Sequence, residues 1–399
     1  MTDPAPASPQ SPQSSGAGAR VFRVGDTGPA VAEIRARLDL LGLVGEDSAA
    51  PATYDAALDR AVRAFQQQRG LSVDGVVGPQ TYRMLEEARW RLGDRLLTHA
   101  PGAVLSGDDV IALQQRLLDL GFQVGKIDGR FGRRTELAVR EFQRNVGVPP
   151  DGTCGPATLK ALTRLAPIVR GGRPNAMRAE ERIRDAGPQL TGKIVVIDPC
   201  VARMPEAVKE QDAGIAARAE TLISDLANRV EGRLVATGVQ AYLTKRAGAD
   251  EATEVERAEF ANRTDAHLVI SLQVDASSNA DAAGVSTYFF GLDAHHAWSS
   301  AGERFASLVQ REIVARTDLT DLRSHAKNWD LLRRTKMPAV RIDVGYLTNP
   351  GDAARLGDPA FRDVVAEAIV VAVQRMYLSP ETDTRTGFLR FDELRAAVR

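Results

Sequence analysis

Apolar residues recur at three- and four-residue steps in two segments of the N-terminal half of the chain. The first set is Val31, Ile34, Leu38 and Leu41, and the second is Val110, Leu113, Leu117 and Leu120. This spacing puts each set on one face of an amphipathic helix. Gly42 and Gly121 follow directly and are typical of residues that end a helix. The pattern predicts two helices that begin two similar units.

The two helices open an internal repeat. Leu38 and Leu117 are 79 residues apart, whereas Phe65 and Phe142 are 77 residues apart. Each copy continues with an Ala-Val-x-x-Phe helix, an Asp-Gly turn (74–75 and 151–152) and a third helix that begins at Pro79 or Pro156, where proline suits the first turn. The sequence therefore predicts two consecutive all-α three-helix modules, residues 20–92 and 93–165.

Strand-like and helix-like segments alternate from Lys193 onward. The strand patterns are KIVVID, VQAYLTK, AHLVISLQV, VSTYFF and PAVRIDVGYL, with helical patterns between and after them. This order predicts an α/β domain over residues 193–378, a sheet covered by helices on both faces. Ligands of such sheets bind at the carboxyl ends of strands, where Asp198, Gln273 and Asp343 fall.

Composition describes the remaining segments and limits the partners. Residues 1–19 are rich in Pro, Ser and Gln and are expected to be disordered, and residues 166–192 form a connector with a short helix around 177–186. A net charge of -1 favours neither nucleic acid nor an anionic membrane. The N-terminus lacks an apolar signal region and no run reaches the ~20 apolar residues of a membrane span, so we expect a cytoplasmic protein. Two cysteines exclude a disulfide framework.

Both halves resemble known families. The repeat is similar to the peptidoglycan-binding type 1 module, whose ligand lies in a shallow groove between helices. Phe65, Phe142 and the glycines are expected to form core and turns there, and whether the modules bind glycan stays open. The second half resembles the N-acetylmuramoyl-L-alanine amidases, whose motifs DPGHGG, S-I/L-H-A-N/D-A and PAVLVE-x-GFLSN correspond here to DPCVAR, SLQVDA and PAVRIDVGYLTN. The resemblance implies a mixed sheet flanked by helices.

The chemistry of the amidase family is missing from these motifs. Its two histidine ligands correspond to Val201 and Gln273, its glutamate ligand to Ala219 and its catalytic glutamate to Asp343. Asp198 completes this vestigial site. A hydrolytic zinc needs about three His, Glu, Asp or Cys ligands, and valine and alanine offer none. We therefore expect no metal, no cofactor and no catalytic residue.

A rebuilt site is the alternative. Cys200, Glu220 and Asp343 could supply three ligands, although Glu220 is turned by about 100° from the Ala219 position on its helix. Zinc would then be the cofactor. The five histidines do not repair the site. His99 lies outside the domain and His267 precedes a strand, whereas the other three lie in expected solvated loops: His295, His296 and His325.

The complete arrangement resembles the CwlM-type proteins of actinobacteria. That resemblance implies a cytoplasmic regulator that binds and activates MurA, the enolpyruvyl transferase of peptidoglycan precursor synthesis, under a membrane Ser/Thr kinase. In the expected regulatory tail, 379–399, the candidate phosphorylation sites are Thr382, Thr384 and Thr386. A phosphate there would suit a phosphothreonine-reading domain.

The same tail carries an apolar stripe that can dock on a partner or fold back onto the domain, formed by Phe388, Leu389, Phe391 and Leu394. Three functions thus remain open. The chain is an inactive amidase homologue that regulates precursor synthesis, a zinc amidase with displaced ligands, or a plain binder of peptidoglycan or its precursors.

Overall fold

The structure is a computed structural model that describes residues 21–44, 52–100, 102–165, 174–201, 204–245, 252–292, 295, 297–378, 386 and 389–396. The described residues form two compact units. One holds the chain up to Gln67 together with Ser72–Arg89, and the other holds Gln68–Leu71 together with the chain from Trp90 onward. The first repeat is therefore a unit of its own, and the second repeat shares a unit with the C-terminal half.

Module 1 consists of α1 (Pro29–Leu40), α2 (Ala56–Gln68) and α3 (Pro79–Ala88). Its core contains Val31, Ile34, Leu38 and Phe65, all fully buried. Gly42 has φ 71° and its N–H bonds to the carbonyl of Asp39, while Leu43 bonds back to Leu38. This left-handed turn is the helix end that the sequence predicts, and glycine adopts it without a Cβ penalty.

Module 2 repeats this arrangement with α4 (Asp108–Asp119), α5 (Arg133–Val146) and α6 (Pro156–Arg164). Its predicted core residues are buried: Val110, Leu113, Leu117, Leu120 and Phe142. Gly121 has φ 91° and ends α4 in the same way as Gly42 ends α1. Two helical modules in tandem are thus confirmed.

The C-terminal half alternates strands and helices, as its sequence pattern predicts. After α7 (Pro174–Asp185) the elements are β1 (Ile194–Pro199), α8 (Glu206–Gln211), α9 (Ile215–Ala236), β2 (Gln240–Leu243), α10 (Glu254–Arg263), β3 (Leu268–Asp275), β4 (Val285–Leu292), β5 (Ala297–Trp298), α11 (Ser300–Arg316), β6 (Asp321–Lys327), α12 (Asp330–Arg334), β7 (Ala339–Tyr346), α13 (Pro350–Gly357), α14 (Pro359–Tyr377) and α15 (Phe391–Ala396).

These strands form one mixed sheet. Its order is β2-β1-β3-β7-β4-β5, with β6 paired to β4. The pairs from β2 to β7 are parallel, β4 runs antiparallel to β7, and β6 runs parallel to β4. The expected mixed sheet flanked by helices is confirmed. None of the described helices combines the length and the apolar composition that crossing a bilayer requires.

The register of the strands separates the sheet into an apolar face and a partly polar face. Ile197 lies beside Ile270 on the apolar face, which packs against α9, α11 and α14. On the other face, Asp198 lies beside Ser271, and Ser271 lies beside Arg341. Helices α10 and α12 cover that face through an apolar cluster that includes Ala261, Trp329 and Leu332. This polar row, formed by Asp198, Ser271 and Arg341, is therefore enclosed between the sheet and the helices.

Several elements are missing from the sequence prediction. His325 was expected in a solvated loop; the loop was wrong, because His325 lies in β6, but its side chain is exposed as expected, with its ring centre 5.8 Å from that of Tyr288. The segment DLRSHAK carries few apolar residues because β6 alternates exposed and half-buried positions. Helix α7, within the expected connector, packs against α11 and α14, and Leu190 joins the core of the sheet.

Candidate functional site

Asp198 is fully buried near the carboxyl end of β1 and accepts three hydrogen bonds. The donors are Thr244 Oγ1 at 2.6 Å, Ser271 Oγ at 2.7 Å and Arg257 Nη1 at 2.9 Å. Burial acts to lower the pKa of Arg257, but the neighbouring acidic groups, Asp198 foremost, together outweigh burial and hold this pKa above its usual value. The carboxylate is thus fully engaged in linking β1, β3 and α10.

Gln273 and Asp343 are direct neighbours on β3 and β7. Arg341 holds Asp343 by two parallel hydrogen bonds, Nε to Oδ1 at 2.8 Å and Nη2 to Oδ2 at 3.1 Å. The guanidinium also lies 4.2 Å from the ring centre of Trp329. Burial acts to lower the pKa of Arg341, and the paired Asp343 carboxylate raises it beyond its usual value. Both oxygens of Asp343 are therefore occupied by a fixed cation.

Two further side chains at this edge carry acceptor oxygens. The Oε1 atom of Gln273 is buried and has no hydrogen-bond partner among the described residues. Asp275 follows two residues later, and burial, together with the negative charge of Asp343, raises the pKa of its carboxyl. Burial and these two carboxylates also raise the pKa of Tyr346. The polar part of this edge is therefore rich in acceptors.

Two of the positions that correspond to the family's metal ligands, Ala219 and Val201, lie in or against an apolar cluster. Ala219 on α9 is 1% exposed and packs with Ala276, and Val201 and Leu347 lie against the same cluster. The other buried members are Met204, Val208 and Ile215. A zinc ion needs lone-pair donors around it, and this cluster supplies methyl and methylene groups. The residues present do not fit zinc.

The structure does not assemble the alternative site from Cys200, Glu220 and Asp343. Glu220 forms an ion pair with Lys245, with 2.9 Å between Oε1 and Nζ. Cys200 is buried, and its thiol lies 3.6 Å from the carbonyl oxygen of Val201. Over the described part of the chain, no three His, Cys, Asp or Glu side chains lie close enough together to hold a metal ion.

The histidines lie away from these positions. His267 precedes β3 as expected, and its Nδ1 accepts a hydrogen bond from the backbone N–H of Ile194. His295 lies 3.7 Å from Asp108 of α4, in module 2. His296 is outside the described residues. Each described histidine of the α/β domain therefore has a local structural contact.

The predicted tail residues fall into two groups. Thr382, Thr384 and Phe388 lie outside the described residues. Thr386 is half-buried, and Leu394 is 8% exposed in the core cluster of the α/β domain, with Leu389 and Phe391 packed against it. Of the two possibilities for the apolar stripe, the structure shows its described members folded back onto the domain.

The sequence interpretation missed the residues that hold the two aspartates. Arg341 carried a usable signal, because it stands two residues before Asp343 in one strand and therefore on the same face. Arg257 and Thr244 carried none, because they lie on other elements and approach Asp198 only in the folded chain.

Comparison with known proteins defines the class. A family model described as N-acetylmuramoyl-L-alanine amidase matches residues 202–375, and one described as putative peptidoglycan binding domain matches 27–85 and 106–162. The "N-acetylmuramoyl-L-alanine amidase CwlM" of Mycobacterium tuberculosis is 46% identical over 384 residues, which cover 94% of each chain. This chain therefore belongs to the N-acetylmuramoyl-L-alanine amidase family, as its motifs predicted.

Two further relatives each match about half of the chain. The "Germination-specific N-acetylmuramoyl-L-alanine amidase" of Bacillus subtilis is 25% identical over 209 residues, 47% of this chain and 81% of that protein. Among solved structures, the N-acetylmuramoyl-L-alanine amidase AmiC2 of Nostoc punctiforme is 24% identical, covers 46% of this chain and 97% of its own, and has a TM-score of 0.40.

Proposed function

We propose that this protein is a catalytically inactive amidase homologue that regulates peptidoglycan precursor synthesis by binding other proteins in the cytoplasm. One observation carries the proposal. The positions where the family places metal ligands lie in or against an apolar cluster around Ala219 and Val201, or hold the neutral amide of Gln273. Without a metal, water at this site has no acid to lower its pKa and no electrophile to polarise an amide.

The state of Asp343 gives independent support. A general base must reach a water or a substrate proton with a free oxygen. Both oxygens of Asp343 accept hydrogen bonds from Arg341, and the side chain is 2% exposed. It is also shorter than the glutamate of the family by about 1.5 Å. Asp343 is therefore held in a fixed ion pair within β7 and is poorly suited to proton transfer.

The proposed partner is MurA, and the proposed switch is phosphorylation of Thr382, Thr384 or Thr386 by a Ser/Thr kinase. Both follow from the resemblance to CwlM-type proteins. The polar sequence around these threonines is compatible with kinase access, and a phosphate adds about two negative charges that an arginine cluster or a phosphothreonine-reading domain can capture. Peptidoglycan precursors are the proposed ligands of the two modules.

The Mycobacterium tuberculosis relative is named as an amidase, which favours a second candidate, a zinc amidase with displaced ligands. It would cleave the bond between the muramic acid lactyl group and L-alanine. Arrangements that use Glu220 require the helix α9 to rotate and the Lys245 ion pair to break. This candidate therefore predicts activity only after a large rearrangement.

Two assays on the purified full chain separate the candidates. We expect no release of L-alanine amino termini from muropeptides, with or without added zinc. We also expect kinase-treated protein to raise the rate of MurA, and the variant with Thr382, Thr384 and Thr386 replaced by alanine to leave it unchanged. Chelator-sensitive muropeptide cleavage would support the amidase, and the absence of any effect on MurA would contradict the regulator.

A further inference from the structure

Module 2 and the α/β domain meet at a buried contact around Lys126. The Nζ atom of Lys126 donates hydrogen bonds to the carbonyl oxygens of Leu332 and, at 3.2 Å, of Thr335. It also lies 4.3 Å from the ring centre of Phe290 in β4. These carbonyls belong to the last turn of α12 and to its C-cap Thr335, where a helix leaves backbone acceptors without a partner in the helix.

A second hydrogen bond crosses the same contact in the opposite direction. Arg333 of α12 donates from Nε to the carbonyl oxygen of Asp128, at 2.6 Å. Gly129 follows with φ 70°, and a Cβ there would meet Ile111 at 2.8 Å and Arg333 at 3.0 Å. Leu292 and Ala297 complete the contact, because they belong to the core cluster of module 2.

Only the second repeat carries the residues of this contact. With the 79-residue offset of the repeat, Lys126 corresponds to Asp47 and Asp128-Gly129 to Ala49-Ala50. With the 77-residue offset, Lys126 corresponds to Ala49 and Asp128-Gly129 to Pro51-Ala52. The matching segment of module 1 therefore has neither the lysine nor the Asp-Gly pair in its sequence. The two copies have diverged at the segment that touches the α/β domain in module 2.

Helix α12 links this contact to the vestigial site. Trp329 is its N-cap residue, and the ring of Trp329 lies under the Arg341 guanidinium that holds Asp343. Phe290, Trp329 and Leu332 belong to one apolar cluster. A chain of packed groups thus runs from Lys126 through α12 to the polar row of the sheet.

We propose that module 2 is a docking arm that fixes α12 and thereby keeps the Arg341 and Asp343 pair enclosed. Any ligand or partner that pulls module 2 away would loosen α12 and open the face of the sheet that carries Asp198, Gln273 and Asp343. The proposal does not depend on what the chain regulates.

Hydrogen–deuterium exchange on the full chain tests this proposal. Lys126→Met removes the donor, and Gly129→Ala forces a Cβ against Ile111 and Arg333. We expect either variant to raise the exchange rate of residues 329–336 at least about tenfold, the loss typical of a buried charge-assisted hydrogen bond. Residues of β1 and α14 serve as internal references and should keep their rates.

The matched controls lie in the same module, away from the contact. Lys160→Met removes an exposed lysine of α6, and Gly152→Ala strains a glycine of φ 76° whose Cβ would meet only Arg140 and Glu136 of module 2. These controls should leave residues 329–336 at the wild-type rate. Unchanged exchange at 329–336 in Lys126→Met or in Gly129→Ala, or an equal rise in the controls, would overturn the proposal.

Discussion

At the scale of single residues, the site has exchanged ligands for structural contacts. Asp198 and Asp343 keep their carboxylates, but each is held by an arginine from inside the fold. Buried carboxylates are tolerated when paired in this way. Asp198 connects β1 to β3 and α10, and Asp343 forms an ion pair with an arginine of its own strand.

Replacing Arg341 tests this structural role. In Arg341→Met the Asp343 carboxylate stays buried without its cation, and breaking such a pair costs about 3–5 kcal/mol of the free energy of unfolding. The double variant Arg341→Met with Asp343→Leu removes both charges and should regain most of this loss. Urea unfolding followed by circular dichroism measures both. A single variant as stable as wild type would show that the pair does not support the fold.

The residues that the sequence interpretation missed show where prediction fails at this scale. Gln66 was not singled out, yet its Nε2 donates to Asp74 Oδ1 at 2.7 Å and its Oε1 accepts from Gly75 N at 2.9 Å. Gln143 makes the same two contacts with Asp151 and Gly152. The repeat marks both glutamines, but in one copy a glutamine on a helix is ordinarily a surface residue.

At the scale of elements, periodic segments were predictable and short ones were not. Helix α14 and the strands β1, β3 and β7 have long apolar patterns, and the structure places them within a few residues of the prediction. By contrast, α12 is five residues long and β6 has a polar sequence, so neither has a period to detect. The elements that cover the site belong to this second group.

The short helix α15 is such an element, and it closes over the α/β domain. The backbone N–H of Phe391 donates to Glu367 on α14, at 3.4 Å, and Arg316 of α11 donates to the carbonyl oxygen of Leu389. Leu394 is its buried anchor. A partner that uses this apolar stripe would first have to displace it from α14.

Leu394→Asp should release this helix. Burial of a leucine contributes about 1.5–3 kcal/mol, so its loss should raise the population of the open segment roughly tenfold or more. Trypsin cleavage after Arg390 and Arg395 reports that population. Ala396→Asp, at an exposed position of the same helix, is the control. Equal cleavage rates in the two variants would mean that Leu394 does not anchor the segment.

At the scale of the whole molecule, the arrangement of domains was predictable and the union of module 2 with the α/β domain was not. Two copies of one pattern predicted two equivalent modules. The contact at Lys126 depends on residues more than 200 positions apart along the chain, such as Lys126 and Leu332. No local pattern carries that information, although the loss of Asp-Gly from the matching segment of module 1 was a trace of it.

Because Lys126 is buried, the stability of the contact between module 2 and the α/β domain should depend on pH. Burial lowers the pKa of Lys126 to about 7, with Arg333 acting in the same direction and Asp128 against it. The undocked form keeps the ordinary lysine pKa and binds more protons above pH 7, so the docked form gains stability as the pH rises. We expect wild type to gain about 2 kcal/mol over Lys126→Met between pH 7 and pH 9. Urea unfolding at the two pH values measures it, and a flat or falling difference would contradict the assignment.

The most direct test of the account is the zinc content of the untagged full chain after equilibration with one equivalent of zinc and desalting. The account predicts far less than one zinc per chain, because Val201 and Ala219 lie in apolar surroundings and Arg341 occupies Asp343. One tightly held zinc per chain, together with muropeptide cleavage that a chelator abolishes, would contradict it.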